Sequence, residues 1–306
     1  MKIALLPTGR TEWHGLPIAL QRLFPAHEFY GLPEEGVFRS TGPFDGFTSS
    51  TLTERHEGEY LPERARDLVE RAAQEALGDG SRREAADVVV VLDDLELANR
   101  HQPDRVLRVF RRAVERHLED LQGARARTAQ ALRERVSFHL IVPMIEAWFF
   151  GDPQALRRAG VPDGVEPFLD NPDPENFLTT LDVRYVGATE AACPCWVARG
   201  KKKADCPKWL GRQRERHPKG YLQWLCHDGN AKNCTTYDES SGGAEALKGL
   251  EWGTLLDNPG LRYLGALLEY LAHALREQAP PMQSRGDPPP VTSLSGRPRN
   301  NVLRNL

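Results

Sequence analysis

Along the first 150 residues the apolar positions alternate between two periods. Short runs of apolar and aromatic residues at 2–6, 27–30, 88–92 and 137–142 predict strands. Stretches with apolar residues three and four apart predict helices at about 15–23, 62–77, 103–119 and 124–135, while 47–53 reads as an extended piece without a firm pattern. In 62–77, Leu61, Ala65, Leu68, Val69, Ala72, Ala73 and Leu77 make one stripe between Arg and Glu residues, and Gly78 marks its end. Pro103-Asp104 is a suitable first turn for the next helix, whose Val106, Leu107, Val109, Phe110, Val114 and Leu118 lie on one side. Such alternation predicts an α/β fold with a mostly parallel, Rossmann-like sheet and flanking helices.

After Gly151 the texture changes. Asp152-Pro153 opens a short helix to about 158, and a Pro-, Asp- and Asn-rich loop follows over 162–174. Residues 190–240 carry every cysteine and a basic run, and read as a lobe without a large core of its own. Leu261, Leu264, Leu267, Leu268, Leu271 and Leu275 predict a helix over 259–277 that packs back on the sheet domain. From Pro280 onward Pro, Gly and Arg dominate, the composition of a disordered tail. The expected organisation is an α/β domain at 1–160, a Cys-rich basic lobe and returning helix at 161–278, and a tail at 279–306.

With 306 residues, 40% hydrophobic and 27% charged, the composition is that of a globular protein. A net charge of −3 excludes a wholesale basic wrap around nucleic acid and leaves room for a local basic patch. No charged-then-apolar leader opens the chain and no apolar run could span a bilayer, so the expectation is a cytoplasmic protein without a membrane partner. Five clustered cysteines without an export signal fit metal binding or free thiols better than a disulfide framework.

The apolar strand ends hold the candidate chemistry. Val88-Val89-Val90-Val91-Leu92 finishes in Asp93-Asp94-Leu95-Glu96, the strand at 137–142 leads to Glu146, and the first strand runs into Pro7-Thr8-Gly9-Arg10-Thr11-Glu12. The carboxyl ends of parallel strands form the edge where open α/β sheets bind ligands, and a hard divalent cation takes several oxygens from separate elements. Glu12, Asp93, Asp94, Glu96 and Glu146 are therefore candidate catalytic residues and ligands for Mg2+ or Mn2+. Helix capping or a solvated turn is the bland reading of Asp93-Asp94. Glu146 sits among Ile145, Ala147 and Trp148, where an unpaired charge is costly, so it calls for a metal or an Arg partner.

In the lobe, a tetrahedral zinc could draw four ligands from Cys193, Cys195, Cys206, Cys226 and Cys234, with His227 in reserve; the alternative is a set of unmodified thiols. Lys201, Lys202, Lys203, Arg212, Arg214, Arg216 and Lys219 are interleaved with Trp196, Trp209, Tyr221 and Trp224, a mixture suited to phosphate contact and base stacking. Its bland counterpart is a solvated charged face with the aromatics turned inward. Gly-x-Ser-x-Gly, His-Glu-x-x-His and Walker motifs are absent.

Gly9-Arg10-Thr11-Glu12 after a first strand, the acid-tipped strand with Asp93-Asp94, and Glu146-Ala147-Trp148-Phe149 with Gly151-Asp152-Pro153 resemble TOPRIM-like proteins of uncharacterised bacterial families related to the OLD-type nucleases. The resemblance covers roughly 1–160. It implies a TOPRIM sheet, magnesium held by a Glu after the first strand and by an Asp-x-Asp after a later one, and cleavage or transfer of nucleic-acid strands. Two positions depart from it: Thr8-Gly9 stands where relatives have Glu-Gly, leaving Glu12 as the nearest acid, and the Asp-x-Asp signature reads Asp94-x-Glu96. The resemblance also implies an ABC-type ATPase partner and a role in antiviral defence. The leading expectation is a magnesium-dependent nuclease. Its alternatives are a noncatalytic binding module with a structural zinc lobe, and a metal-dependent phosphatase or phosphotransferase.

Overall fold

The computed structural model describes residues 1–33, 43–78, 84–198, 200, 206–229, 231, 234–283 and 301–306. Strands β1 (Lys2–Pro7), β2 (Glu28–Gly31), β3 (Val88–Asp94) and β4 (Val136–Ile141) form one all-parallel sheet in the order β2-β1-β3-β4. The helices of the first half are α1 (Arg10–Leu23), α2 (Glu63–Leu77), α3 (Glu96–Asn99), α4 (Pro103–Asp120), α5 (Arg125–Arg135), α6 (Glu146–Phe149) and α7 (Pro153–Arg158). Those that follow are α8 (Val183–Val186), α9 (Pro194–Ala198), α10 (Pro218–Leu225), α11 (Ala244–Lys248), α12 (Trp252–Leu256) and α13 (Arg262–Leu275). The architecture is α/β with an open parallel sheet, of Rossmann-like kind.

Strand alternation builds two cores. Ile3, Leu5, Val88, Val90 and Leu92 face one side, under α1, α11 and α13, while Ala4, Leu6, Val89, Val91 and Phe138 face the other, under α2, α4 and α5. Covering both faces explains why β3 is an unbroken apolar run rather than an alternating one. Phe110 of α4 stacks on Phe138 with ring centroids 3.9 Å apart. The 47–53 piece contains a 3-10 turn at Phe47–Ser49 instead of a strand, and α1 begins at Arg10 rather than near 15.

The first-face core runs on into the lobe, through Tyr185, Cys193, Trp209, Tyr221 and Leu222, all fully buried. This corrects the expectation of a lobe without a large core: its aromatic residues provide one. At the other end of the chain, residues 301–306 lie on β4. Leu303 is buried in the second core, the Arg304 amide donates to Val136 O, and Asn305 both accepts from Phe138 N and donates to Phe138 O. The expected disordered tail therefore does not include its last six residues, which cover the sheet edge; residues 284–300 lie outside the described set. Among the described residues no helix is long and apolar enough to cross a membrane.

The strand order fixes where a ligand can go. The chain leaves β1 toward β2 on one side and returns as β3 on the other, so the loops after β1 and β3 part and open a crevice at their carboxyl ends.

Candidate active site

A cavity of about 600 Å³ fills that crevice. Thr8, Gly9 and Arg10 line it from β1, Asp93, Asp94 and Glu96 from β3, Gly46 and Thr48 from the 3-10 turn, and Lys219 and Glu239 from the lobe.

Because α1 starts directly after Gly9, Glu12 falls in its first turn and its carboxylate folds back over that glycine. A Cβ at position 9 would lie 2.2 Å from Glu12 Oε2, so any larger residue there would displace the Glu12 carboxylate. Glu12 is buried, and its carboxyl and that of Asp94 act on each other. Burial, then the charge of Glu146, pushes its carboxyl up to about 8. Buried acids that repel one another are relieved by a proton or by a cation.

Alternation along β3 sends its two aspartates to opposite faces. Asp94 turns toward α1; burial and then Glu12 and Glu146 hold its carboxyl well above the usual range. Its Oδ1 accepts the Ile145 amide at 3.2 Å, tying β3 to the turn that carries Glu146. Asp93 turns to the other face, where Oδ1 accepts the Thr8 hydroxyl at 2.7 Å and Oδ2 is buried without a partner among the described residues. Burial pushes Asp93 up to about 7. Glu96 opens α3 with φ +55°, a left-handed backbone that non-glycine residues adopt at a cost, and burial raises it as well.

Glu146 opens α6 and is 1% exposed. Its Oε1 accepts the Tyr237 hydroxyl at 3.1 Å and lies 3.5 Å from Lys219 Nζ, while Oε2 has no partner among the described residues. Burial raises its carboxyl against the pull of Lys219. The expected counter-charge is thus a lysine rather than an arginine.

Lys219, Tyr237 and Glu239 complete the site, and sequence reasoning missed all three roles. Lys219, expected among the nucleic-acid contacts, is the second residue of α10 and reaches inward, with Nζ 3.1 Å from Glu239 and 3.5 Å from Glu146. Burial alone would lower its ammonium, but Glu146, Glu239 and Asp94 outweigh it and keep the group charged. A signal existed in Pro218, which sets a helix start, followed by Tyr221, Leu222 and Leu225 on a buried face. Glu239 and Tyr237 lie just before Gly242-Gly243; at Gly243 a Cβ would lie 2.7 Å from the Tyr237 oxygen and 2.8 Å from Thr11 Oγ1.

The remaining lobe expectations change. Arg214 Nη1 donates to Ala188 O at 2.7 Å and to Tyr185 O at 3.4 Å, bracing the lobe, whereas Arg212 is exposed. Lys201, Lys202 and Lys203 lie outside the described residues. Trp209 and Tyr221 are fully buried and Trp196 nearly so, which is the inward-turned reading of these aromatics and leaves those rings unable to stack on bases.

Cys193 and Cys234 form a disulfide, which takes two sulfurs out of the set expected for zinc. The local cause is His227: its Nε2 bonds Ala192 O at 2.7 Å and its backbone bridges Thr235, bringing Cys234 against Cys193. Cys226 is buried with Sγ donating to Ala159 O, Cys206 contacts Pro207 O, and the Cys195 side chain lies outside the described set.

The acids from three strand ends do meet. The charges of Glu12, Asp94 and Glu146 act on one another across the crevice, and Glu96 shares their field. Among the described residues no group of three or more His, Cys, Asp and Glu side chains forms a ready-made metal site. The donors nevertheless suit a hard divalent cation in kind: all are oxygens, and both Glu146 Oε2 and Asp93 Oδ2 are buried without a partner. No family model, no curated protein and no solved structure matches the chain.

Proposed function

We propose that this crevice hydrolyses phosphodiester bonds of nucleic acid with the help of Mg2+ or Mn2+. The observation that carries the reading is the meeting of Glu12, Asp94 and Glu146, from three separate strand ends, beside carboxylate oxygens that are buried and unpartnered. Glu12, Asp94 and Glu146 would hold the cation, with Glu96 at the cavity wall. A divalent ion there supplies positive charge for phosphate oxygens and makes water more acidic. Asp93, poised at about 7 with Oδ2 free, accepts a proton from the attacking water. Lys219 Nζ donates to the departing oxygen. Arg10 on the cavity wall and Lys208 close enough to act on Glu96 are exposed cations that draw a phosphate backbone toward the acids.

The parallel sheet and its acid-tipped strands are consistent with the TOPRIM-like, OLD-nuclease-related resemblance. On that basis the protein would be a cytoplasmic effector of antiviral defence working beside an ABC-type ATPase, which co-expression and co-purification with such a partner would test.

Purified protein titrated with Mg2+ and Mn2+ against single-stranded DNA, duplex DNA and RNA should cleave at least one of them. Asp94→Asn and Glu146→Gln should each abolish the cleavage while remaining folded. Absence of cleavage of all three by folded wild-type protein refutes the nuclease. The runner-up is a noncatalytic nucleic-acid or protein-binding module, favoured by one specific observation: Lys219 already supplies a positive charge inside the carboxylate cluster. Binding of nucleic acid without cleavage in the same titrations would select it.

A further inference from the structure

We propose that Lys219 is the resident counter-ion of the carboxylate cluster and that a divalent cation enters only by displacing its ammonium toward the cavity mouth. The inference rests on the cation-site reading above. Three observations point to it. Nζ lies within 3.5 Å of Glu146 Oε1 and 3.1 Å of Glu239 Oε1, and its charge also acts on Glu12, Asp94 and Glu96, so one ammonium serves five acids of the site. Glu146 donates only one oxygen to this arrangement, and Oε2 remains buried without a partner, more coordinating capacity than a lysine uses. No three acids of the site are spaced as metal ligands while the lysine is in place.

Two cations cannot share this space without strong repulsion, because like charges a few ångströms apart in a partly dry site interact far more strongly than in water. Lys219 has somewhere to go. It lines the cavity, and Glu239, its nearer partner, is the more exposed of the two acids it bridges, at 36% against 1% for Glu146. Withdrawal toward Glu239 would leave Glu146, Glu12 and Asp94 to the incoming ion and keep the ammonium beside the phosphate that follows it. The lysine then holds the acids together before the ion arrives, and selects against weakly charged ions such as Na+ that cannot outcompete it.

The test is calorimetric titration of Mn2+ into wild-type and Lys219→Met proteins, without nucleic acid. The expected result is binding at least about tenfold tighter in Lys219→Met, one competing charge having been removed, with a larger rise in melting temperature per added Mn2+. Wild type that binds Mn2+ while Lys219→Met binds equally or more weakly overturns the displacement and leaves the cation site standing. No binding to either protein overturns both. Should Lys219→Met fail to fold, amine labelling of wild-type protein followed by peptide mass spectrometry decides: labelling of Lys219 must increase when Mn2+ is added, and unchanged or reduced labelling refutes displacement.

Discussion

Asp93→Asn isolates what burying an acid in this crevice costs. The wild-type carboxyl moves from 3.8 to about 7, chiefly through burial, while the Thr8 hydroxyl at 2.7 Å pulls the other way. An acid whose folded-state pKa is raised contributes stability that is fully present below its unfolded value and is lost as pH rises through the folded one. The shift is roughly three units, at about 1.4 kcal/mol each. Through Asp93 alone, then, the cation-free protein should lose on the order of 2 kcal/mol between about pH 5.5 and pH 8, and about 4 kcal/mol once the carboxyl is ionised. Asparagine keeps the shape and can still accept from Thr8, but carries no charge to desolvate. Urea unfolding in EDTA at several pH values should show Asp93→Asn more stable than wild type at pH 8, with the gap closing toward pH 5. The same variant should lose cleavage, because its side chain accepts no proton from water. A wild-type stability that rises from pH 6 to pH 8, or an asparagine variant less stable than wild type at pH 8, would refute the assignment of a desolvated acid.

Three further outcomes follow from the same geometry. Gly9→Ala places a Cβ 2.2 Å from Glu12 Oε2, so the Glu12 carboxylate must shift from its place; Mn2+ affinity measured calorimetrically should fall by about tenfold or more, and unchanged affinity would remove Glu12 from the cation set. Cys193→Ser with Cys234→Ser opens a link spanning 41 residues and should cost up to about 4 kcal/mol in guanidinium unfolding; five titratable thiols and one zinc per chain in the wild type would instead restore the zinc lobe. Glu175→Leu should destabilise by about 1–3 kcal/mol, since Glu175 Oε1 accepts both the Tyr263 and Leu264 amides and leucine leaves these donors without it; a stability equal to wild type would show that these bonds do not hold α13 in place.

How much of this was legible in the sequence differs between scaffold and site. Helix 62–77 was found as Glu63–Leu77 and 103–119 as Pro103–Asp120, because their apolar stripes face a single core and local pattern suffices. The strand ends were legible for the same reason, and they carried Glu12, Asp94 and Glu146 to one place. The start of α1 was misjudged because Gly9-Arg10-Thr11-Glu12 reads as a polar turn until Glu12 is seen folded against Gly9. Asp93 and Asp94 looked like a pair, yet the two-residue period of β3 separates them. Lys219 was the largest miss. Inside a run of basic residues nothing local distinguishes a cation directed to solvent from one directed to Glu146, 73 positions earlier in the numbering. The disulfide was hidden similarly, because only folding brings His227 to Ala192 and Cys234 to Cys193.

Burial alone does not mark this site, and Glu175 makes the distinction. Its carboxyl is 4% exposed and pushed up to about 8, as far as that of Glu12. Yet its oxygens are engaged by the amides that open α13, an arrangement complete in itself that needs no ligand. Asp93 and Glu146 are as deeply buried, and each retains an oxygen with no donor. Glutamine or asparagine would fill the same volume at positions 12, 93 and 94 without the electrostatic cost, so packing does not account for acids there. Lys219 offsets only part of a cluster containing Glu12, Asp94, Glu96, Glu146 and Glu239. What remains is negative charge held, at the expense of stability, at the edge where the strand order opens a crevice, and the chemistry that would relieve it is a positive ligand with more than one charge.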